Sequence, residues 1–478
     1  MRILHTSDWH LGRTFHGRLL GEDHAAFADH LVDLVRTESV DAVLVCGDVY
    51  DRAIPPNDAV ALLDETLRRL SERTRVVLTP GNHDSARRLG FAADLMREGL
   101  VIRARTAGLD QGIILPDSQG REAAVVHALP YLDPDAAREI LPPLLRERLG
   151  EVVPAGRGAD QDAPGEQGHP AATGGSRAGG EAEAAPRAPL LPRSHEAVVS
   201  AALRLVAADL RRVRRGRSRR LPSLLMAHAF VVGGRASESE RDIRVGGVDC
   251  VPSEIFTTMG GSPLASQCGG LDYVALGHLH RPQEVGPHRE GEHGGQDQRT
   301  GTGAPGAPGG GGPGAPGGVG GPRLVYCGSP LPFSFDEAED ARPKSSVLLD
   351  LSADGVTSLE RIAVPVHHRV RTVEGTMTEL LSGAFDDARD AWVRVVLHGR
   401  RPPGALAVLK DRFPGLLAFH HQAPCRPGRQ VAVTAAADPL RIAEDFLDDV
   451  GAHPPGDAER AVLRQAYESA LAAQRSER

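Results

Sequence analysis

Val76-Val77-Leu78-Thr79-Pro80-Gly81-Asn82-His83-Asp84 joins an apolar run to a dense polar tetrad. A short apolar run suited to a buried strand leads straight into an amide, an imidazole and a carboxylate set side by side. In open α/β sheets the functional crevice lies beyond the carboxyl ends of the strands, so a polar tetrad there marks a place for chemistry. Arg75 to Thr79 is therefore read as strand and Gly81 to Asp84 as a ligand-bearing loop, in which Asp84 is expected to fix the loop by hydrogen bonds.

Working outward, the same unit recurs twice upstream. Arg2 to Thr6 reads as a strand, left through Ser7-Asp8-Trp9-His10-Leu11-Gly12, where Asp8 and His10 can point at one ion. That D-x-H pair is weak evidence alone. A helix from about Asp23 to Glu38 follows, with Ala26, Phe27, His30, Leu31 and Leu34 at helical spacing. Val40 to Cys46 is a buried-strand pattern ending in Gly47-Asp48-Val49-Tyr50-Asp51-Arg52, and a second helix spans about Asn57 to Arg73. Downstream, Leu221 to Ala227 runs into His228, and Asp272 to Leu276 runs into Gly277-His278-Leu279-His280. Strand, ligand-bearing loop and helix alternate, which predicts an α/β fold with its ligands gathered at one edge.

Composition bounds the alternatives. The 478 residues are enough for two or three domains, and 41% hydrophobic content suits a globular protein. A net charge of −8 argues against a surface that grips nucleic acid everywhere, while leaving room for a local basic site. Cys46, Cys250, Cys268, Cys327 and Cys425 are scattered without a C-x-x-C, which suits structural thiols in a reducing compartment. The amino terminus runs directly into a strand and no apolar run could span a membrane, so a cytoplasmic protein without membrane contact is expected.

The 55 Gly and 36 Pro are concentrated in two stretches, about 150–193 and 286–322, read as low-complexity insertions. Between them a helix starting at the N-cap candidate Ser194 ends in Arg211, Arg212, Arg214, Arg215, Arg217, Arg219 and Arg220. This tract is read as a solvated helix end, with a phosphate-contacting patch as the alternative. A hairpin is expected from Ser346 to Leu351 and Val356 to Ile362, turning at Ala353-Asp354-Gly355. From about 366 a small α+β module is expected, in which His367, His368, His420 and His421 read as strand residues lacking acidic company. Two amphipathic helices close the chain, carrying Leu440, Phe446, Leu447, Val462, Leu463 and Leu471, able to pack on their own domain or to dock on a partner.

Collected, the strand-end groups are Asp8, His10, Asp48, Asn82, His228, His278 and His280, the ligand inventory of a two-metal site with Asp48 placed to bridge. Mixed imidazole and carboxylate donors suit Mn²⁺, Fe²⁺ or Zn²⁺ better than Mg²⁺. Two such ions can clamp a phosphoryl group during in-line displacement. His83, adjacent to Asn82, could protonate the leaving oxygen, with the Asp51 carboxylate orienting its ring.

The spaced set D-x-H, G-D-x-x-D, G-N-H-D, a lone His and G-H-x-H resembles the calcineurin-like metallophosphoesterase superfamily. Met1-Arg2-Ile3-Leu4-His5-Thr6-Ser7-Asp8-Trp9-His10-Leu11-Gly12, Ser237-Glu238-Ser239-Glu240-Arg241 with Val245-Gly246-Gly247, Gly277-His278-Leu279-His280-Arg281-Pro282, and Tyr326-Cys327-Gly328-Ser329-Pro330-Leu331-Pro332 with Ser334-Phe335 narrow it to the SbcCD-type branch of the Mre-type repair nucleases. The resemblance covers most of 1–147, 195–285 and 323–363. It implies a four-layer α/β/β/α sandwich over 1–363, a capping domain at 366–435 and a partner-binding helical segment at 437–472. It implies one Mn²⁺ on Asp8, His10, Asp48 and His280, a second on Asp48, Asn82, His228 and His278, and His83 as the catalytic imidazole. It further implies a nuclease homodimer within a heterotetramer with an SbcC-type coiled-coil ATPase, cleaving DNA ends and hairpins in repair, recombination and replication. A small-molecule phosphoesterase and a non-catalytic scaffold of the same fold are the rival readings. The capping module and terminal helices weigh against the first, and the intact ligand set against the second.

Overall fold

The computed structural model describes residues 1–96, 99–151, 190–240, 250–286, 321–423, 439–450 and 456–476. Nearly all of the two low-complexity stretches, Arg241, Val245-Gly246-Gly247, Cys425 and the 451–455 connection lie outside the described residues, as does the side chain of Leu471. The chain divides into two compact units, Met1–Arg371 and Thr372–Arg478.

The first unit holds two six-stranded sheets. In one, strands Arg2–Thr6, Ala42–Cys46, Arg75–Thr79 and Leu100–Ile102 run parallel in that spatial order, extended by the antiparallel hairpin Ser345–Ser352 and Gly355–Ala363. In the other, Glu122–Ala128, Ser223–His228, Tyr273–Gly277 and Arg323–Tyr326 are parallel, with Ile113–Pro116 and Gln283–Val285 as antiparallel edges.

The alternation of side chains along a strand explains how the sheets stack. Ile3, Leu44, Cys46 and Val77 face Val126, Leu224, Met226, Tyr273 and Val325 of the other sheet. The intervening Leu4, Val43, Val45, Val76 and Leu78 pack on Phe27, Leu31, Leu63 and Leu67, from helices Gly21–Thr37 and Asn57–Ser71. On the far side, Val125, Leu225, Ala227, Val274 and Leu276 pack with Leu141, Leu145, Val199 and Leu203, from helices Pro134–Leu149 and His195–Arg214. The result is a four-layer α/β/β/α sandwich. Each fully buried Leu or Val contributes about 1.5–3 kcal/mol of transfer free energy.

Register brings the loops together. Thr6 lies opposite Val45, Cys46 opposite Thr79, and His228 opposite Gly277, so adjacent strands deliver their loops side by side. The two sheets meet backbone to backbone at this end: a Cβ on Gly277 would lie 1.8 Å from the carbonyl oxygen of Cys46. Only a residue without a side chain permits that approach.

Helix Pro134–Leu149 runs against the sequence pattern, because Pro142 and Pro143 inside it read as breakers. Its ends are nonetheless written in the sequence. Asp133 caps it by accepting from the N–H groups of Asp135 (2.9 Å) and Ala136 (3.1 Å), Pro134 occupies the first turn, and Gly150 closes it at φ +67°. Ser194 caps its helix as expected, accepting from Ala197 N–H at 3.2 Å.

The arginine tract is largely structural. Arg214 donates to the carbonyls of Leu221, Cys268 and Gly270, Arg220 pairs with Asp272, Arg212 with Asp209 and Arg217 with Glu122. His367 and His368 occupy a bend and not a strand, and His368 does have acidic company: its Nδ1 lies 3.0 Å from the Asp23 carboxylate. Cys46, Cys268 and Cys327 are buried free thiols, and burial pushes Cys46 and Cys327 up, the latter to about 12, so both stay protonated.

The second unit begins with a three-stranded sheet in the order Val370–Gly375, Trp392–His398, Leu416–Gln422, with His420 and His421 in the last strand. Helices Met377–Leu381 and Ala405–Arg412 contribute Leu380, Ala405 and Leu409 to a core with Val373, Val393, Val395, Leu397 and Phe413. Helices Pro439–Val450 and Asp457–Ser476 follow, on which Phe446 and Val462 are exposed.

Candidate metal centre

Four of the seven expected ligands sit in backbone conformations that side-chain-bearing residues rarely adopt: Asp8 at φ +54°, His10 at +46°, Asp48 at +46° and His278 at +103°. Such strain costs on the order of 1–3 kcal/mol each and persists where surrounding structure imposes it. Here each loop is clamped to its neighbour. Asp8 N–H donates to Gly47 O, His10 N–H to Asp48 O, and His278 N–H to both carboxylate oxygens of Asp8, at 2.9 and 3.1 Å.

The side chains converge. His10 Nε2 and His280 Nε2 face each other at 3.1 Å, and His10 Nε2 lies 3.7 Å from Asp48 Oδ2. His228 Nε2 lies 3.4 Å from the same oxygen and 2.9 Å from Asn82 Oδ1. Ligand atoms of Asp8, His10 and His280 fall within 4.8 Å of one another, as do those of Asp8, Asp48 and His228. Asp48 is thus shared between the two ends of the cluster. The His278 ring packs edge-on against His228, with centroids 5.4 Å apart.

The donor chemistry fits divalent ions. His228 Nδ1–H donates to Cys46 O at 3.1 Å, which turns Nε2 toward the two oxygens of Asn82 and Asp48. His10 Nε2 and His280 Nε2, 3.1 Å apart, can share one proton as an N–H···N hydrogen bond or together offer lone pairs to a cation. Burial holds His10 and His278 well below the ordinary histidine range, so both are neutral, the form that coordinates. Burial would raise Asp48, but His228 and the surrounding imidazoles hold it well below the carboxylate range. Burial works against a charged His228, yet Asp48 pushes it up to about 9. The carboxylate draws positive charge to this nitrogen, and an ion there would replace the proton. Asp8 is pushed up by burial, to about 6, against the pull of His228 and His280.

His83 stands beside this cluster. Its main-chain N–H donates to Asp48 Oδ1 at 2.8 Å, and its ring lies edge-on to His10 with centroids 4.8 Å apart. Its Nδ1–H donates to the main-chain carbonyl of Asp51 at 2.8 Å, which leaves Nε2 for other chemistry. This corrects the expectation for Asp51: its carbonyl, not its carboxylate, orients the ring. The carboxylate turns instead to Arg13 at 3.5 Å and His10 Nδ1 at 3.8 Å, because the loop carries its backbone past His83. Asp84 accepts from three backbone N–H groups, Val49 (3.0 Å), Tyr50 (2.9 Å) and Gly81 (2.9 Å), and so ties two ligand loops together. Burial and the adjacent Asp48 push its carboxyl up to about 7 despite those bonds.

Sequence reading misses the support behind His280. Its Nδ1 faces Ser239 Oγ at 2.5 Å and Glu337 Oε1 at 3.3 Å, its N–H donates to Glu240 at 2.8 Å, and the buried Lys344 donates to its carbonyl at 2.9 Å. Phe333 walls the rings of His10 and His280, with Arg13 stacked over it at 4.6 Å. Lys344 carries a signal, being one of only two lysines, but nothing in the sequence says what it faces.

The family description Calcineurin-like phosphoesterase matches residues 1–119. The D-subunit of the SbcCD nuclease from Escherichia coli is 28% identical over 381 residues, covering 80% of this chain and 72% of that protein. Its counterpart from Rhodobacter capsulatus is 34% identical over 297 residues, covering 60% of this chain and 59% of the relative, and that from Bacillus subtilis is 30% identical over 287 residues, covering 60% and 58%. A candidate metal-ligand cluster at the strand ends of a four-layer sandwich thus sits in a chain whose first 119 residues match the calcineurin-like phosphoesterase description and which is similar over 60–80% of its length to D-subunits of the SbcCD nuclease.

Proposed function

We propose that the chain is a Mn²⁺-dependent DNA phosphodiesterase, an exonuclease on duplex ends and an endonuclease on hairpins and single strands. The observation that carries the reading is the convergence of ligand-type side chains from both sheets around the Asp48 carboxylate: Asp8 and His10 from one sheet and His228 from the other lie beside it, with His280 against His10 and Asn82 against His228. Asp8, His10, Asp48 and His280 would hold one ion, and Asp48, Asn82, His228 and His278 the other. When bound, such ions supply Lewis acidity for an in-line displacement at phosphorus. His83, its Nδ1–H held by the Asp51 carbonyl, carries a proton at Nε2 for the leaving oxygen. Asp84 keeps the Asp48 and Asn82 loops at fixed separation.

Residues 366–435 serve as a capping module that selects an extended substrate. Segment 437–472, with Phe446 and Val462 exposed, docks on an SbcC-type coiled-coil ATPase, and two chains form the nuclease dimer of a cytoplasmic heterotetramer acting in DNA repair, recombination and replication. The net charge of −8 fits a nuclease whose ATPase partner supplies much of the grip on the duplex. The test is a labelled DNA hairpin incubated with Mn²⁺, with and without the ATPase, beside His83→Ala and bis(p-nitrophenyl) phosphate. Hairpin cleavage that needs Mn²⁺ and collapses in His83→Ala is expected. An intact hairpin with the partner present, while the small ester is hydrolysed, would sink the DNA reading.

A further inference from the structure

We propose that Glu337 and Lys344 are positioning residues that fix the ring of His280 for ion binding. Both are buried, their side chains 0% and 5% exposed, and they form an ion pair. Glu337 lies on the short helix Phe335–Ala338, and Lys344 lies just before strand Ser345–Ser352. Neither belongs to the seven ligands.

The contacts account for every polar atom of the pair. Glu337 Oε1 accepts from Ser237 Oγ (2.9 Å), Ser334 Oγ (3.1 Å) and Ser239 Oγ, and lies 3.3 Å from His280 Nδ1. Its Oε2 accepts from Phe333 N–H (3.2 Å), Ser329 Oγ (3.4 Å) and Lys344. Lys344 Nζ uses its two remaining protons on the His280 carbonyl (2.9 Å) and Ser329 Oγ (2.8 Å). One residue of the cluster is therefore gripped at both ring and backbone.

That grip has a chemical consequence. Ser239, 2.5 Å from His280 Nδ1, gives its hydroxyl proton to the Glu337 carboxylate, so both groups facing Nδ1 accept and the proton of His280 sits on Nδ1. Nε2 is left with its lone pair, aimed at the point it shares with His10 Nε2. Carboxylates placed behind ligating imidazoles raise ligand basicity and hold the ring in plane. Lys344 makes this possible, because an isolated carboxylate in the interior would shed its charge. A compact ammonium suits three acceptors converging from different directions, which a planar guanidinium does not.

The inference rests on the two-ion reading, and the test separates them. Mn²⁺ is titrated into metal-free full-length protein, with free ion followed by electron paramagnetic resonance and melting followed in chelator. Wild type is compared with Glu337→Gln and with the double variant Glu337→Gln/Lys344→Met, which leaves no orphan charge and keeps the test decisive if the single variant fails to fold. The expected result is one ion weakened roughly 10–100-fold and the other unchanged within about twofold. Two ions bound with wild-type affinity in a folded variant would overturn the positioning role, and so would equal weakening of both ions together with a lowered melting temperature. Wild type binding fewer than two ions would overturn the two-ion reading, and the inference with it.

Discussion

Gly277→Ala tests how the metal centre is built. Gly277 ends the strand that leads into His278 and His280, and Cys46 ends the strand that leads into Asp48. An added Cβ would sit 1.8 Å from Cys46 O and 2.8 Å from His228 Nδ1, whereas real Cβ contacts essentially never fall below 3.0 Å. The first partner is backbone at the end of a central strand, so the two sheets must part there by at least 1.2 Å to reach that limit. Overpacking of this kind costs about 1–3 kcal/mol of stability. The larger loss is functional, because parting the sheets moves His228, His278 and His280 away from Asp48. A misplacement of about 1 Å lowers turnover on the order of 100-fold. The assay is Mn²⁺-dependent hydrolysis of bis(p-nitrophenyl) phosphate, with Gly21→Ala as control, since a Cβ there meets open space. Wild-type turnover and melting in Gly277→Ala would refute the claim that this contact sets the ligand geometry.

Three further outcomes follow from single contacts. Asp84→Ala leaves the N–H groups of Val49, Tyr50 and Gly81 without their acceptor, and urea denaturation of the metal-free protein is expected to show a loss of about 2–5 kcal/mol, with Asp84→Asn intermediate. Burial, with Arg361 adding to it, pushes His5 down to about 3, so the folded state refuses a proton that the unfolded chain accepts near 6.5. Its contribution is therefore complete above about pH 6.5 and is lost as pH falls toward 3; at pH 4.5 it has fallen by about 3 kcal/mol, a slope that His5→Gln should remove from denaturation curves. Arg214→Ala frees the carbonyls of Leu221, Cys268 and Gly270 and should cost about 1–3 kcal/mol, whereas the exposed Arg219→Ala should stay within about 0.5 kcal/mol, read by thermal melting.

What can be read from sequence is whatever depends on local pattern. The parallel strands announce themselves because β-strands buried on both faces carry unbroken apolar runs, and the polar groups at their ends stand out against those runs. That is why Asp8, Asp48, Asn82 and His228 are legible without coordinates. Partnerships between segments far apart in the chain are not. Glu337 reads as one acid in the run Asp336 to Asp340, and only folding places it behind His280. Asp51 fails for a related reason: spacing locates the residue correctly, but spacing does not say whether carbonyl or carboxylate faces the imidazole. Helix Pro134–Leu149 is hidden by Pro142 and Pro143, which tertiary packing of Leu141 and Leu145 overrides. The arginine tract misleads in the opposite direction, since charge density suggests a surface patch while Arg214 is spent on three backbone carbonyls.

Asp48 stands between the two proposed ion positions. Equilibrium dialysis of metal-free protein against Mn²⁺, with bound ion counted by plasma mass spectrometry in wild type and Asp48→Asn, tests this most directly. Two ions per chain in wild type, both weakened at least tenfold by the one substitution, is the predicted result. A single ion per chain, or a variant that loses one ion and keeps the other at wild-type affinity, would contradict it.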